Sequence, residues 1–207
     1  MITKIEDDGF HAFGFWANGM RQMSATVPIR GTQDASGLTF RVSSGSPITK
    51  AAYATMGDEL KKLKFSQVYD ALKSGEVQGQ ENTWANIEGK RFYQVQAAVT
   101  ETNHTYIGYA AVTSKNFLDS LDAETRQIVT DTMKLVTHVR NRFAFELNPI
   151  SRQNIIEDGG VIVRLTKAEQ DEFRRLFSPV FQEFKPSIGT QLVDAAIEIN
   201  ANADPYN

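Results

Sequence analysis

The sequence predicts an α/β fold with a mixed, mostly parallel sheet covered by helices. Three observations carry that reading. Residues 38–43 alternate, with Leu38, Phe40 and Val42 on one side and Thr39, Arg41 and Ser43 on the other. Residues 106–113 are apolar nearly throughout, the pattern of a strand buried on both faces. From Ala123 to about Leu147 the apolar residues Ile128, Leu135, Val136, Val139, Phe143 and Leu147 keep helical spacing, as one long amphipathic helix requires. Strands that alternate with helices pack as layers around a sheet.

The remaining elements follow in chain order. The N-terminal residues read as the last turns of a helix ending at Gly9, and His11–Trp16 has strand composition. A helix is expected from Pro47 to Gly57, with proline near its start and glycine just past its end. Lys62-Leu63-Lys64-Phe65 reads as a short strand, and Ser66 as the N-cap of a helix closed at Gly75. Gln78-Gly79-Gln80-Glu81-Asn82 reads as a tight polar turn presenting an amide. Val161–Val163 is a last strand, and Thr166–Glu169 a capping box that opens a helix. Pro186 and Gly189 are expected to interrupt it before a final helix near 190–199, with Asn200–Asn207 frayed.

At 207 residues the chain has room for one large domain or two lobes with a real core. A net charge of −3 argues against a nucleic-acid or anionic-membrane surface. The lack of cysteine excludes disulfides, thiolate metal sites and cysteine nucleophiles, and fits either redox compartment. No apolar run approaches the ~18 residues of a membrane span. Met1–Gly9 lacks the apolar core of a signal peptide, and a chain opening on the end of an element reads as a fragment.

Candidate site residues are few. Arg41 lies at the C-terminal end of its strand, where α/β sheets collect ligands, and its planar fork matches a carboxylate. A surface arginine or a structural salt bridge is the alternative. Arg21 reads as a loop arginine. Asn82 either donates to a ligand carboxylate or holds its own turn. Phe65 and Trp84 read first as core residues. His11, His104 and His138 have no metal-like spacing, and no cofactor or metal is expected. Glu81 is an isolated acid, so enzymatic chemistry has little support.

Several ordered motifs then resemble a known family. They are Gly14–Met23, Pro28-Ile29-Arg30, Gly37–Val42, Phe65–Leu72, Gly79-Gln80-Glu81-Asn82, Thr102–Tyr109 and Leu121–Arg126. Together, over about residues 9–197, they resemble the extracytoplasmic solute receptors of TRAP transporters, most closely the C4-dicarboxylate-binding DctP type. The resemblance implies a periplasmic-binding-protein-like α/β fold, two lobes of mixed sheet around a cleft that closes on an organic acid. It also implies a periplasmic location, delivery to a sodium-coupled membrane permease, and an N-terminal truncation of most of the first lobe.

Carried over, Arg41 matches the arginine that pairs with the substrate carboxylate, and Arg21 a more variable second one. Asn82 matches the asparagine closing its motif, and Phe65 an aromatic residue lining the cleft. Ser44 falls at another polar contact. Thr83 stands where the family usually has proline, a change expected to loosen the turn. The implied division is 19–107 plus 148–178 as the substrate-binding lobe, 1–18 plus 108–147 as first-lobe remnant and crossover helix, and 179–207 as C-terminal helices. The leading reading is a non-catalytic receptor for a C4-dicarboxylate-like acid. Its rivals are a truncated fragment that pairs with a second copy, and a hydrolytic enzyme built around Glu81 and His104.

Overall fold

The computed structural model describes residues 2–43, 47–57 and 59–202. In chain order these form α1 (Ile2–Asp7), β1 (Phe10–Ala25), α2 (Thr32–Ala35), β2 (Thr39–Val42), α3 (Pro47–Ala54), β3 (Glu59–Lys62) and α4 (Val68–Ser74). There follow β4 (Gly79–Thr83), α5 (Trp84–Gly89), β5 (Ala98–Glu101), β6 (Tyr106–Ser114), α6 (Lys115–Ser120), α7 (Ala123–Glu157), β7 (Ile162–Arg164), α8 (Lys167–Ile188) and α9 (Thr190–Asn202). The sheet runs β3-β2-β4-β1-β5-β7, and β6 pairs with the first half of β1. It is mixed, as expected, but not mostly parallel: β1 is antiparallel to β4, β5 and β6. The parallel pairings are β2 with β3, β2 with β4, and β5 with β7.

Two buried clusters hold the sheet to its helices. Met23, Phe40, Val42, Tyr53, Phe173 and Phe177 belong to one, and Val68, Leu72, Trp84, Ile87, Phe92 and Ile155 to the other. Trp84 is thus core, as the sequence reading preferred. Gly79 has to be glycine for a packing reason. A Cβ there would meet the Phe40 ring at 2.5 Å, inside any allowed contact.

Local capping chemistry follows the sequence closely. Gly9 and Gly75 take φ of +84° and +75°, closing α1 and α4. Asp122 accepts from Thr125 N at the start of α7, and the Thr166–Glu169 capping box opens α8. Ser66 does not cap a helix. Residues Phe65–Gln67 form a 3-10 turn, opened by the Gln67 side chain accepting from Lys64 N at 3.1 Å. The preceding strand ends at Lys62, three residues before Phe65. Pro186 and the earlier Pro179 lie inside α8, whose capping and packing outweigh their lost N–H bonds.

Two elements differ from expectation in their surroundings. Residues 106–114 do form a strand, but β6 is not buried: Tyr106, Tyr109 and Val112 are about half exposed. Among the described residues it pairs only with β1, so its apolar composition does not place it mid-sheet. The long helix runs ten residues past Leu147, through Pro149, to Glu157. Its apolar stripe faces away from the sheet, with Ile128, Leu135, Val139 and Phe143 all exposed.

The face of α7 that meets β1 is polar. Register shifts at Ala12/Gly14 and Ala17/Gly19 break the β1–β6 ladder and release backbone groups. Asn141 Oδ1 accepts from Ala17 N at 2.7 Å, and Asn141 Nδ2 donates to Phe15 O. One heptad later, Asn148 Nδ2 donates to Asn18 O at 2.6 Å. A Cβ on Gly19 would lie 2.7 Å from that same nitrogen, so only glycine lets the helix approach here. These contacts tie β1 to α7 from Phe15 to Asn18. No helix among the described residues is long and apolar enough to cross a membrane.

Candidate functional site

At the ends of β2 and β4, against β1 and β6, lies a cavity of about 460 Å3. Arg21, Arg41, Phe65, Glu81 and Asn82 line one side, so the predicted residues converge. Ser44 lies outside the described residues. Asn18, Asn86, Tyr106 and Tyr109 are among the other lining residues, and these were not named as site residues from sequence. The signal for the two tyrosines was a pair of hydroxyls on a strand read as apolar nearly throughout.

The Gln78–Asn82 segment is not a turn. Gly79–Thr83 is β4, buried at every position and held between β1 and β2. Polar residues survive there because each has a specific partner. Arg21 is likewise on β1 rather than in a loop. Register pairs Met23 with Glu81 and Arg21 with Thr83, so Arg21 and Glu81 are diagonal neighbours on one face. Their Nη1 and Oε1 atoms are 2.7 Å apart. Glu81 is only 2% exposed, and burial raises its pKa while Arg21 opposes the rise. Arg21 Nε and Glu81 Oε2 are buried without a partner among the described residues.

Arg41 is 5% exposed. Its Nε and Nη2 donate to Leu63 O at 3.2 and 3.1 Å, and among the described residues no carboxylate forms an ion pair with it. Burial lowers its pKa, Glu81 pulls it back up, and Arg21 lowers it again. Two guanidiniums and one carboxylate leave the cavity wall with a net positive charge. A buried cation without an anion is costly, and an anionic guest would relieve it.

Phe65 packs edge-on against Phe92 at 5.8 Å, is 37% exposed and lines the cavity. Asn82 Oδ1 accepts from Thr83 N at 3.1 Å and from Asn86 Nδ2 at 2.6 Å. Thr83, expected to loosen this segment, instead tightens it: it is fully buried, and its hydroxyl donates to Asn18 Oδ1 at 2.8 Å.

His104 does not join Glu81 as a catalytic pair. Its ring nitrogens meet Tyr53 Oη at 3.1 Å and Thr102 Oγ1 at 2.7 Å. Burial, then the Arg21 charge, depresses its pKa from 6.5 to about 3. The unfolded chain therefore takes up a proton below pH 6.5 that the folded chain refuses until about pH 3. Stability from this group is full above 6.5 and falls with pH across that window, by at most about 1.4 kcal/mol per unit. Denaturation midpoints are expected to drop between pH 7 and 5 and to flatten in His104→Gln; parallel profiles would show the effect lies elsewhere.

A second, more open cavity of about 520 Å3 lies beside Arg91, Tyr93, Gln94 and Asp158. Tyr93 and Gln94 already donate to Asp158, so much of its polar lining is paired. Among the described residues no group of three or more His, Asp or Glu is placed to hold a metal ion.

Residues 1–187 match the family described as bacterial extracellular solute-binding protein, family 7. The chain belongs to that family. Among family 7 relatives, the C4-dicarboxylate-binding periplasmic protein DctP of Vibrio cholerae serotype O1 is 38% identical over 192 residues, 93% of this chain and 58% of the relative. DctP of Shewanella loihica is 32% identical, over 97% of this chain and 60% of its own. A TRAP periplasmic solute-binding protein of Shewanella oneidensis, solved with bound succinate, superposes with a TM-score of 0.91 at 32% identity. That match covers 96% of this chain and 65% of the solved one. A Pseudomonas aeruginosa counterpart solved with L-malate gives 0.82 at 32% identity, covering 88% and 63%. The chain thus spans under two thirds of the length of these relatives.

Proposed function

We propose that this chain is the substrate-binding part of a TRAP-type receptor that holds a small, C4-dicarboxylate-like organic acid and delivers it outside the cytoplasm to a membrane permease. One observation carries the reading. Arg41 is almost wholly buried, lines the cavity, and has no carboxylate partner among the described residues. In this reading Arg41 takes one ligand carboxylate, Arg21 reaches a second oxygen while bound to Glu81, Asn82 donates, and Phe65 covers the carbon chain. Micromolar binding needs about 8 kcal/mol, and a hydrogen bond to a charged group supplies roughly 1.5–3. The polar contacts therefore reach micromolar affinity only if a second lobe closes the cavity against water. With the cavity open, weaker binding is expected, and ligands are tested at millimolar concentration. No step of catalysis is assigned.

The lobe division proposed is 19–107 plus 148–178 for binding, with 1–18 plus 108–147 as the connecting arm. The buried residues of both clusters all come from the first set, which favours its separation from 1–18 and 108–147. At 178 the cut has no such support, since α8 runs through it and Phe181 packs on the first cluster. The apolar residues exposed on β6 and α7 favour a second reading, pairing of two copies through that arm. A thermal-shift series on this chain separates the cases. Succinate and malate are expected to raise the melting temperature, and neutral succinamide is not; at 100 times Kd the gain is about 2.7 kcal/mol. Absence of a shift with any organic acid would overturn the receptor reading, and a single-chain mass by light scattering would overturn the pair.

A further inference from the structure

The amide of Asn82 has only one orientation available to it. Backbone N–H is a donor and nothing else, so the Asn82 atom that meets Thr83 N at 3.1 Å must be the carbonyl oxygen. That assignment forces the next one: Asn86 must present its nitrogen to the same oxygen, at 2.6 Å. Both lone-pair directions of Asn82 Oδ1 are then used. Its Nδ2 takes part in no hydrogen bond among the described residues, although Asn82 is 5% exposed and lines the cavity.

Strand pairing leaves the Thr83 N–H free for this task. Arg21, its register partner on β1, donates its own N–H to Thr105 O, so the Arg21–Thr83 pair is not a hydrogen-bonded one. Asn86 arrives from the first turn of α5, four residues after Asn82. The two clamps come from different groups, one main-chain and one side-chain.

We propose that Thr83 and Asn86 are positioning residues that lock Asn82 as a one-way donor, so that the site accepts a carboxylate end group and rejects the matching carboxamide. The inference rests on the organic-acid reading above and adds its selectivity. A carboxylate offers acceptors to Arg41 and to Asn82 Nδ2 alike, whereas a carboxamide whose one oxygen goes to Arg41 turns its NH2 toward Nδ2 and opposes two donors. Mismatched donors of this kind are what sites built around fixed hydrogen bonds discriminate against.

The test is a double-mutant cycle read by calorimetry with succinate and its monoamide, succinamate. Thr83→Pro removes one donor onto Asn82 Oδ1, and the native φ of −72° already suits proline. Asn86→Leu removes the other. Each single change leaves one clamp in place and is expected to weaken succinate binding threefold or less. The double variant frees the amide to rotate, and is expected to weaken succinate at least tenfold while narrowing the succinate-to-succinamate ratio by a similar factor. Thr83→Ala keeps the N–H and should keep the ratio.

Independent single effects, or an unchanged ratio in the double variant, would overturn the clamp. If the double variant fails to fold, the side-chain amide resonances of Asn82 in the ligand-free single variants decide; resonances unmoved in both overturn it too. Failure of the unaltered chain to bind any organic acid removes the parent reading instead.

Discussion

Arg41→Lys is expected to weaken succinate binding at least tenfold. Lysine keeps the charge but loses the fork that lets one side chain hold a carboxylate through two parallel bonds. In the unaltered protein Nε and Nη2 are committed to Leu63 O, so the guanidinium is already oriented before a ligand arrives. An ammonium can satisfy Leu63 O or the ligand, and does both only by compromise. Tenfold corresponds to about 1.4 kcal/mol, below the 1.5–3 of one charged hydrogen bond, so it is a lower bound. The ligand-free melting temperature should move little, because the variant keeps a cation that can still reach the same carbonyl. Calorimetry and thermal melts on one preparation check both halves, and unchanged affinity would remove Arg41 from the site.

Arg21→Met is expected to cost about 3–5 kcal/mol of folding stability at pH 8, the largest effect of any single change considered. Removal of the guanidinium leaves the Glu81 carboxylate buried with its main compensating charge gone. The sign of the pH dependence follows from burial. Burial raises the Glu81 pKa in the folded protein, and Arg21 is the foremost influence holding it down. Without Arg21 the folded pKa climbs further above the unfolded value of 4.5. The stability of the variant is then greatest below about pH 4.5 and falls as pH rises through the folded pKa. Denaturant titrations at pH 8 and pH 5 should show the deficit shrinking on acidification. Glu81→Gln added to Arg21→Met should recover much of it at pH 8. A deficit that does not change with pH would mean that packing, not the stranded charge, sets the cost.

Much of the architecture was legible because it is written in short-range chemistry. The alternation at 38–43, the glycines at 9 and 75 and the Thr166–Glu169 box each act within a few residues, and each produced the element expected. Arg41, Arg21, Asn82 and Phe65 were named from sequence, and they line one cavity. What was misread was environment. Residues 106–113 are apolar in composition, yet β6 is exposed, because composition reports preference and not which neighbours are present. The stripe on α7 has the right period and the opposite orientation, since β1 offers broken backbone ladder rather than an apolar surface.

Glu81 shows the same division within the site. On the page it was a lone acid inside a polar run, and polar runs ordinarily make turns. In the fold it is a strand residue, paired 60 positions away with Arg21. No local pattern encodes that separation. It arises from the register of β1 against β4, which sets Arg21 opposite Thr83 and Met23 opposite Glu81.

By itself the sequence determined the α/β class, the capped helix ends, the family likeness and the identity of the charged groups, because each depends on residue type and near spacing. Only the tertiary structure decided which arginine pairs with Glu81 and which has no carboxylate partner among the described residues. It also decided which way Asn82 points. Both outcomes depend on contacts between strands distant in the chain, where a displacement of one residue would turn every side chain to the other face.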